Sequence, residues 1–125
     1  MGLNLNASPE DLKVFLEEAE ELLQLVEEDL VRLEKEEDTD GLIQEIFRAA
    51  HTLKGSSATI GHQKMAELTH AMENVLDKLR KDELDLTTQT MDVLLECLDL
   101  LRIMKDDIAR DEDSGADPSS LLARL

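Results

Sequence analysis

Four stretches of the chain repeat apolar residues at intervals of three and four, the spacing that keeps one stripe on one face of an α-helix. The first stripe is Leu12, Phe15, Leu16, Ala19, Leu22, Leu23, Val26, Leu30 and Leu33, with Glu17, Glu18, Glu20, Glu21, Glu27 and Glu28 outside it. Ahead of it, Ser8-Pro9-Glu10-Asp11 is a start signal: a capping hydroxyl, a proline at the first helical position, and acids at the positive end of the helix dipole. Helix one is expected to run to about Glu36, with the first turn at EEDTDG. Helix two, from about Asp40 to about Ile60, turns Ile46, Ala50, Leu53, Ser57 and Ile60 inward and stops at Gly61. Helix three, from about Gln63 to Lys81, buries Met65, Leu68, Met72, Val75, Leu76 and Leu79, and leaves His70 and Glu73 off the stripe. Helix four starts at a cap supplied by Thr87 or Thr88 and runs to about Arg110. It carries Met91, Leu94, Leu95, Leu98, Leu101, Met104 and Ile108 inward, with Cys97 at the edge of that face.

Short connections between long helices make neighbours antiparallel, so residues 1–110 are expected to form an all-α, up-down-up-down four-helix bundle. The polar run DEDSGADPSS, from Asp111 to Ser120, breaks the pattern. Residues 111–125 are then a linker, as at the edge of a longer protein, or a short fifth helix. In the second case Asp117 and Pro118 cap and start it, and Leu121, Leu122 and Leu125 dock on the bundle.

Composition narrows this further. The 125 residues suit one domain, and with aromatics at 2% and no Trp or Tyr the core falls to Leu, Ile, Val, Met and Ala, which favours packed helices over a sheet. A formal net charge of -17 repels phosphate backbones and anionic lipid, which disfavours nucleic-acid and membrane-surface binding. The acidic residues of helix one follow helical polarity, so they form a solvated face and not a calcium loop. A single cysteine, no signal-like N-terminus and no apolar run long enough to cross a bilayer lead us to expect a reducing, cytoplasmic location. Met1-Gly2 is no myristoylation signal, because Asn6 stands where that pattern has Ser or Thr.

The candidate chemistry lies in helix two, in IFRAAHTLKGSSATIG from Ile46 to Gly61. His51 falls away from the centre of the buried stripe, and Lys54 and Gly55 follow it at i+3 and i+4 on the same patch of surface. A glycine inside a helix costs roughly 1 kcal/mol relative to alanine, so Gly55 needs a reason, and the simplest is room beside His51. If helices two and three pack antiparallel, Phe47, His51 and Lys54 can face His70 and Glu73. Glu73 would then accept a proton from one ring nitrogen of His51, leaving the outer nitrogen as a solvent-facing nucleophile. Lys54 would supply positive charge to a phosphoryl oxygen, and Gly55 would clear space for the added group.

The string HTLKGSSATIG, with His70 and Glu73 following in AELTHAMENVLDKLR, resembles the histidine phosphotransfer domain at the N-terminus of CheA-type chemotaxis histidine kinases. The resemblance covers about residues 8 to 110. It implies that His51 is phosphorylated on its outer nitrogen, that Glu73 hydrogen-bonds the inner one, and that Lys54 and His70 complete the polar network. It also implies that ATP, with Mg, is held by a separate kinase domain of the same protein, that phosphorylation can pass across a dimer, and that the acceptor is an aspartate of a response regulator. This chain carries no ATP-binding motif, so it is expected to bind no cofactor itself. His62 stands where an aromatic or apolar residue is expected and reads as a plain loop residue.

Two other readings compete. Glu67-x-x-His70 has the spacing of a di-iron bundle, but such a site needs a second Glu-x-x-His and two more inward glutamates. An adaptor bundle binding partners through its acidic face would leave Gly55 unexplained.

Overall fold

A computed structural model of the chain describes residues 5, 7–35, 38–111 and 115–123. The elements are α1 (Pro9–Glu34), α2 (Thr39–Thr59), α3 (Gln63–Arg80), α4 (Thr88–Arg110) and a single turn, α5 (Ser119–Leu122), with no strand among the described residues. Each long helix packs against the next in sequence, and α4 returns to α1, which closes the up-down-up-down ring. None of these helices is long and apolar enough to cross a membrane.

Local chemistry sets the helix ends. Ser8 and Asp11 form a reciprocal capping box, the Ser8 hydroxyl accepting from the Asp11 N–H and the Asp11 carboxylate from the Ser8 N–H. Thr87, rather than Thr88, caps α4 by accepting from the Thr90 N–H. α1 stops at Glu34, short of the expected Glu36, a residue that lies outside those described. At the end of α2, Gly61 takes a φ of 82°, which lets its N–H reach Ala58 O and the His62 N–H reach Ser57 O. This closes the helix in a Schellman motif that a side chain at residue 61 would strain.

His62 is more than the plain loop residue expected. It is buried, and its Nδ1 accepts from the Met65 N–H at 3.1 Å, so it caps α3. With α2 closing one residue earlier, its ring falls back over the first turn of α3, where free N–H groups need an acceptor.

The core follows the four stripes, with Leu23, Leu30, Ile46, Leu68, Leu76, Leu94 and Leu101 all nearly sealed from solvent. Cys97 belongs to that core and not to its edge: it is fully buried, and burial pushes its thiol up to about 12. Buried polar residues also stand beside the stripes, among them Asp29, Thr69, Glu73 and Asp107. Thr69 is satisfied within its own helix by the Met65 and Ala66 carbonyls. In the tail, Leu121 is buried and Leu122 packs against the same core, so α5 docks on the bundle. Pro118, not Asp117, precedes its first residue, while the Asp117 carboxylate accepts from the Ser119 N–H and hydroxyl. Leu125 lies outside the described residues.

Candidate functional site

α2 and α3 pack antiparallel with a register that brings His51 opposite Glu73. His51 Nδ1 lies 2.5 Å from one Glu73 oxygen, and Lys54 Nζ donates to the other at 2.9 Å. The two partners differ sharply in exposure: the His51 side chain is 65% exposed and that of Glu73 only 10%. Glu73 was expected off the core, yet it is buried, because it borders the stripe of α3 and α2 packs over it. Burial pushes its carboxyl up. The hydrogen bonds and charges of Lys54 and His51 outweigh that and hold it below the usual carboxylate value. The group facing the ring is therefore an ionised acceptor, fixed at both oxygens.

His70 does not join this network. It is exposed, and among the described residues no hydrogen bond or ion pair joins it to His51, Lys54 or Glu73. At three residues before Glu73 it lies about 60° further round α3, on the solvent side. Glu67 is exposed as well, and no group of three potential ligands among the described residues could hold a metal ion, so the Glu67-x-x-His70 spacing builds no di-metal site.

Gly55 is exposed, and a Cβ built on it meets nothing within 4 Å. Nothing inside the protein forbids a side chain there. The open space belongs to a groove of about 700 Å³ between α1 and α2, lined by His51, Thr52, Gly55 and Ser56 on one wall and Val14 and Glu18 on the other. Ser56 donates to Glu18 across it at 2.5 Å. The ring of His51 thus has a held edge towards α3 and an open edge beside this groove.

Sequence reasoning placed Phe47 on this face but missed Arg80, which packs on it. Phe47 lies parallel to the His51 ring, with centroids 6.4 Å apart and planes 12° from each other, and the Arg80 guanidinium sits 4.3 Å from the Phe47 centroid. Arg80 also pairs with Asp77 and reaches Gln44 Oε1 at 3.4 Å. One signal was available: Arg80 follows Glu73 by seven residues, as Gln44 and Phe47 precede His51 and Lys54 by seven.

An exposed imidazole with a buried carboxylate at its back thus stands on the outside of a four-helix bundle. Residues 11–103 match the Hpt domain family, and the chain belongs to it. Within that family the likeness is to CheA. The chemotaxis protein CheA of Listeria monocytogenes is 46% identical over 114 residues, covering 91% of this chain and 18% of that protein. The chain thus spans under a fifth of the length of that relative. The solution structure of the histidine phosphotransfer domain of CheA matches with a TM-score of 0.84 and 37% identity, covering 94% of this chain and 90% of that one. The phosphorylated P1 domain of CheA3, solved in complex with CheY6 from R. sphaeroides, shares the fold with a TM-score of 0.82 at 24% identity, covering 92% and 91%.

Proposed function

We propose that this chain is a phosphocarrier, in which Nε2 of His51 accepts the γ-phosphoryl group of ATP bound by a separate kinase domain and passes it to an aspartate of a response regulator. The contact of Nδ1 with Glu73, on a ring whose other edge is open, carries this reading. With the Nδ1 proton donated to the carboxylate, the lone pair lies on Nε2. That pair attacks the γ-phosphorus, and the bond to the bridging oxygen breaks with its electrons leaving on ADP. The ring gains positive charge as the P–N bond forms, and the Glu73 carboxylate stabilises it. In the second step a carboxylate oxygen of the regulator attacks phosphorus, and the P–N electrons return to Nε2.

The other residues take supporting roles. Lys54 keeps Glu73 oriented and offsets its negative charge, so that an incoming triphosphate meets less repulsion, and its ammonium is the cation one turn from the transferred group. Gly55 leaves the groove open for that group. ATP and Mg belong to the kinase domain, and catalysis of the second transfer comes largely from the regulator's own metal site. Membership of the Hpt family and likeness to CheA support this reading. In R. sphaeroides a phosphorylated P1 domain of the same fold is in complex with CheY6.

Incubation with radiolabelled ATP and the kinase portion of a CheA-type protein tests it. The label should be acid-labile, base-stable and absent from His51→Gln, whose fold survives because the ring is exposed. Label of the same stability on His51→Gln would sink the assignment.

A further inference from the structure

Glu73 holds the His51 ring by one atom. A single hydrogen bond at Nδ1 sets the tautomer, but a ring whose side chain is 65% exposed can still rock about that contact and swing its far nitrogen away from any one line of attack. A second ring lies beside that of His51, with centroids 6.4 Å apart. Phe47, one turn before His51 on α2 and half-buried, lies within 12° of parallel to the imidazole. Arg80 from α3 packs on Phe47 at 4.3 Å, and Arg80 is itself held by Asp77 and by Gln44. Asp77 also takes Lys81 Nζ at 3.0 Å, and hydrogen bonds from Lys81 and Arg80 keep its carboxyl below the usual range, so the anchor of Arg80 is a carboxylate.

The pairing of Gln44 and Phe47 with Arg80 repeats, seven residues away on each helix, the pairing of His51 and Lys54 with Glu73. One interhelical register therefore builds both groups, Glu73 meeting one ring nitrogen and Phe47 lying near-parallel to the ring plane. We propose that Phe47, clamped by Arg80, is a positioning residue that holds the His51 imidazole plane so that Nε2 stays aligned for in-line attack on the incoming phosphorus. Neither residue touches the reacting atoms: Phe47 acts through the imidazole and Arg80 through Phe47. Alignment of this kind raises the rate of the bound complex and leaves its formation unchanged. A residue that merely docks the kinase domain would do the reverse.

This inference rests on the phosphocarrier reading, and the experiment separates the two. Phosphate acceptance from the kinase portion of a CheA-type protein is measured as a function of carrier concentration for the parent chain, Phe47→Leu, Phe47→Tyr, Arg80→Gln and Arg80→Lys, with thermal unfolding of each. Phe47→Leu keeps apolar bulk and removes the aromatic plane. It should lower kcat roughly three- to tenfold, the range expected for one aromatic contact, with KM within about twofold. Phe47→Tyr should retain the parent kcat. Arg80→Gln should give a smaller loss, about two- to threefold, partly recovered in Arg80→Lys. Nitrogen NMR of the His51 ring supplies a readout independent of turnover: in Phe47→Leu the ring should show faster reorientation while Nδ1 remains the protonated nitrogen. Parent-like kcat and ring dynamics in Phe47→Leu, or a loss confined to KM, would overturn the positioning role alone. Absence of label on the parent chain would overturn the phosphocarrier reading and this inference with it.

Discussion

Glu73 meets two demands with its two oxygens, an imidazole at one and an ammonium at the other, from a position almost closed to water. A hydrogen bond involving a charged group contributes about 1.5–3 kcal/mol, so its loss from a transition state slows a reaction by about ten- to a hundredfold. Glu73→Ala should slow acceptance by that order without abolishing it, since Nε2 remains and only its orientation and charge support go; rates for single-turnover labelling would show this, and an unchanged rate would remove the orienting role. Gly55 makes the opposite kind of case. No neighbour excludes a Cβ there, so Gly55→Ala should raise thermal stability by up to about 1 kcal/mol through helix propensity. If the glycine serves the transferred group or its donor, the same variant will accept phosphate more slowly. A variant that is both more stable and as active as the parent would mean that the open space is not used.

At the scale of elements, the site depends on one interface. α2 and α3 are joined by a turn of three residues, Ile60 to His62, and that turn carries the Schellman closure of one helix and the side-chain cap of the next. Removing a side-chain cap costs about 1 kcal/mol. His62→Ala should lower the unfolding free energy by about that much, and His62→Asp should restore most of it, as urea titration would show. The loss should be independent of phosphate acceptance at temperatures where the variant is folded, because His62 lies beyond the end of α2 from the His51–Glu73 contact. The position was marked as unusual by its residue type; its capping role was not legible, because an imidazole acts as a cap only when the preceding turn aims it.

For the whole molecule, the feature with the widest consequence is a carboxyl buried between helices. Asp29 of α1 is 2% exposed, and burial, a hydrogen bond and the charge of Glu45 on α2, and the charge of Glu28 push it up to about 7 against the pull of Arg32. A raised value means that the fold prefers the protonated acid. Below the ordinary value of 3.8 both folded and unfolded chains hold the proton and the contribution is fully present. Between there and about 7 the unfolded chain releases its proton while the folded one keeps it, so stability declines as pH rises, levelling off once the folded chain has also ionised. Asp29→Asn, which cannot ionise, should therefore be more stable than the parent at pH 8, on the order of 4 kcal/mol, with the difference shrinking towards pH 4. Denaturant titrations of both chains across that range would show the convergence, and a constant difference would mean that Asp29 does not titrate with folding.

Much of this protein was settled along the chain. The four long helices with their ends to within a residue or two, the inward stripes, the bundle topology and the placing of His51, Lys54 and Gly55 on one patch of α2 all follow from a 3.6-residue period and from caps, which act over a few neighbouring residues. What only the tertiary structure decided are relations between helices. It set the register that brings Glu73 to His51 and leaves His70 in solvent, buried that carboxylate, laid Phe47 beside the His51 ring with Arg80 packed on Phe47, and enclosed Asp29. An interhelical register answers to every packed side chain at once, and a difference of about 60° round one helix separates a buried partner from a solvated residue. No local pattern carries that information, because the energy that selects the register is the summed packing of all four stripes.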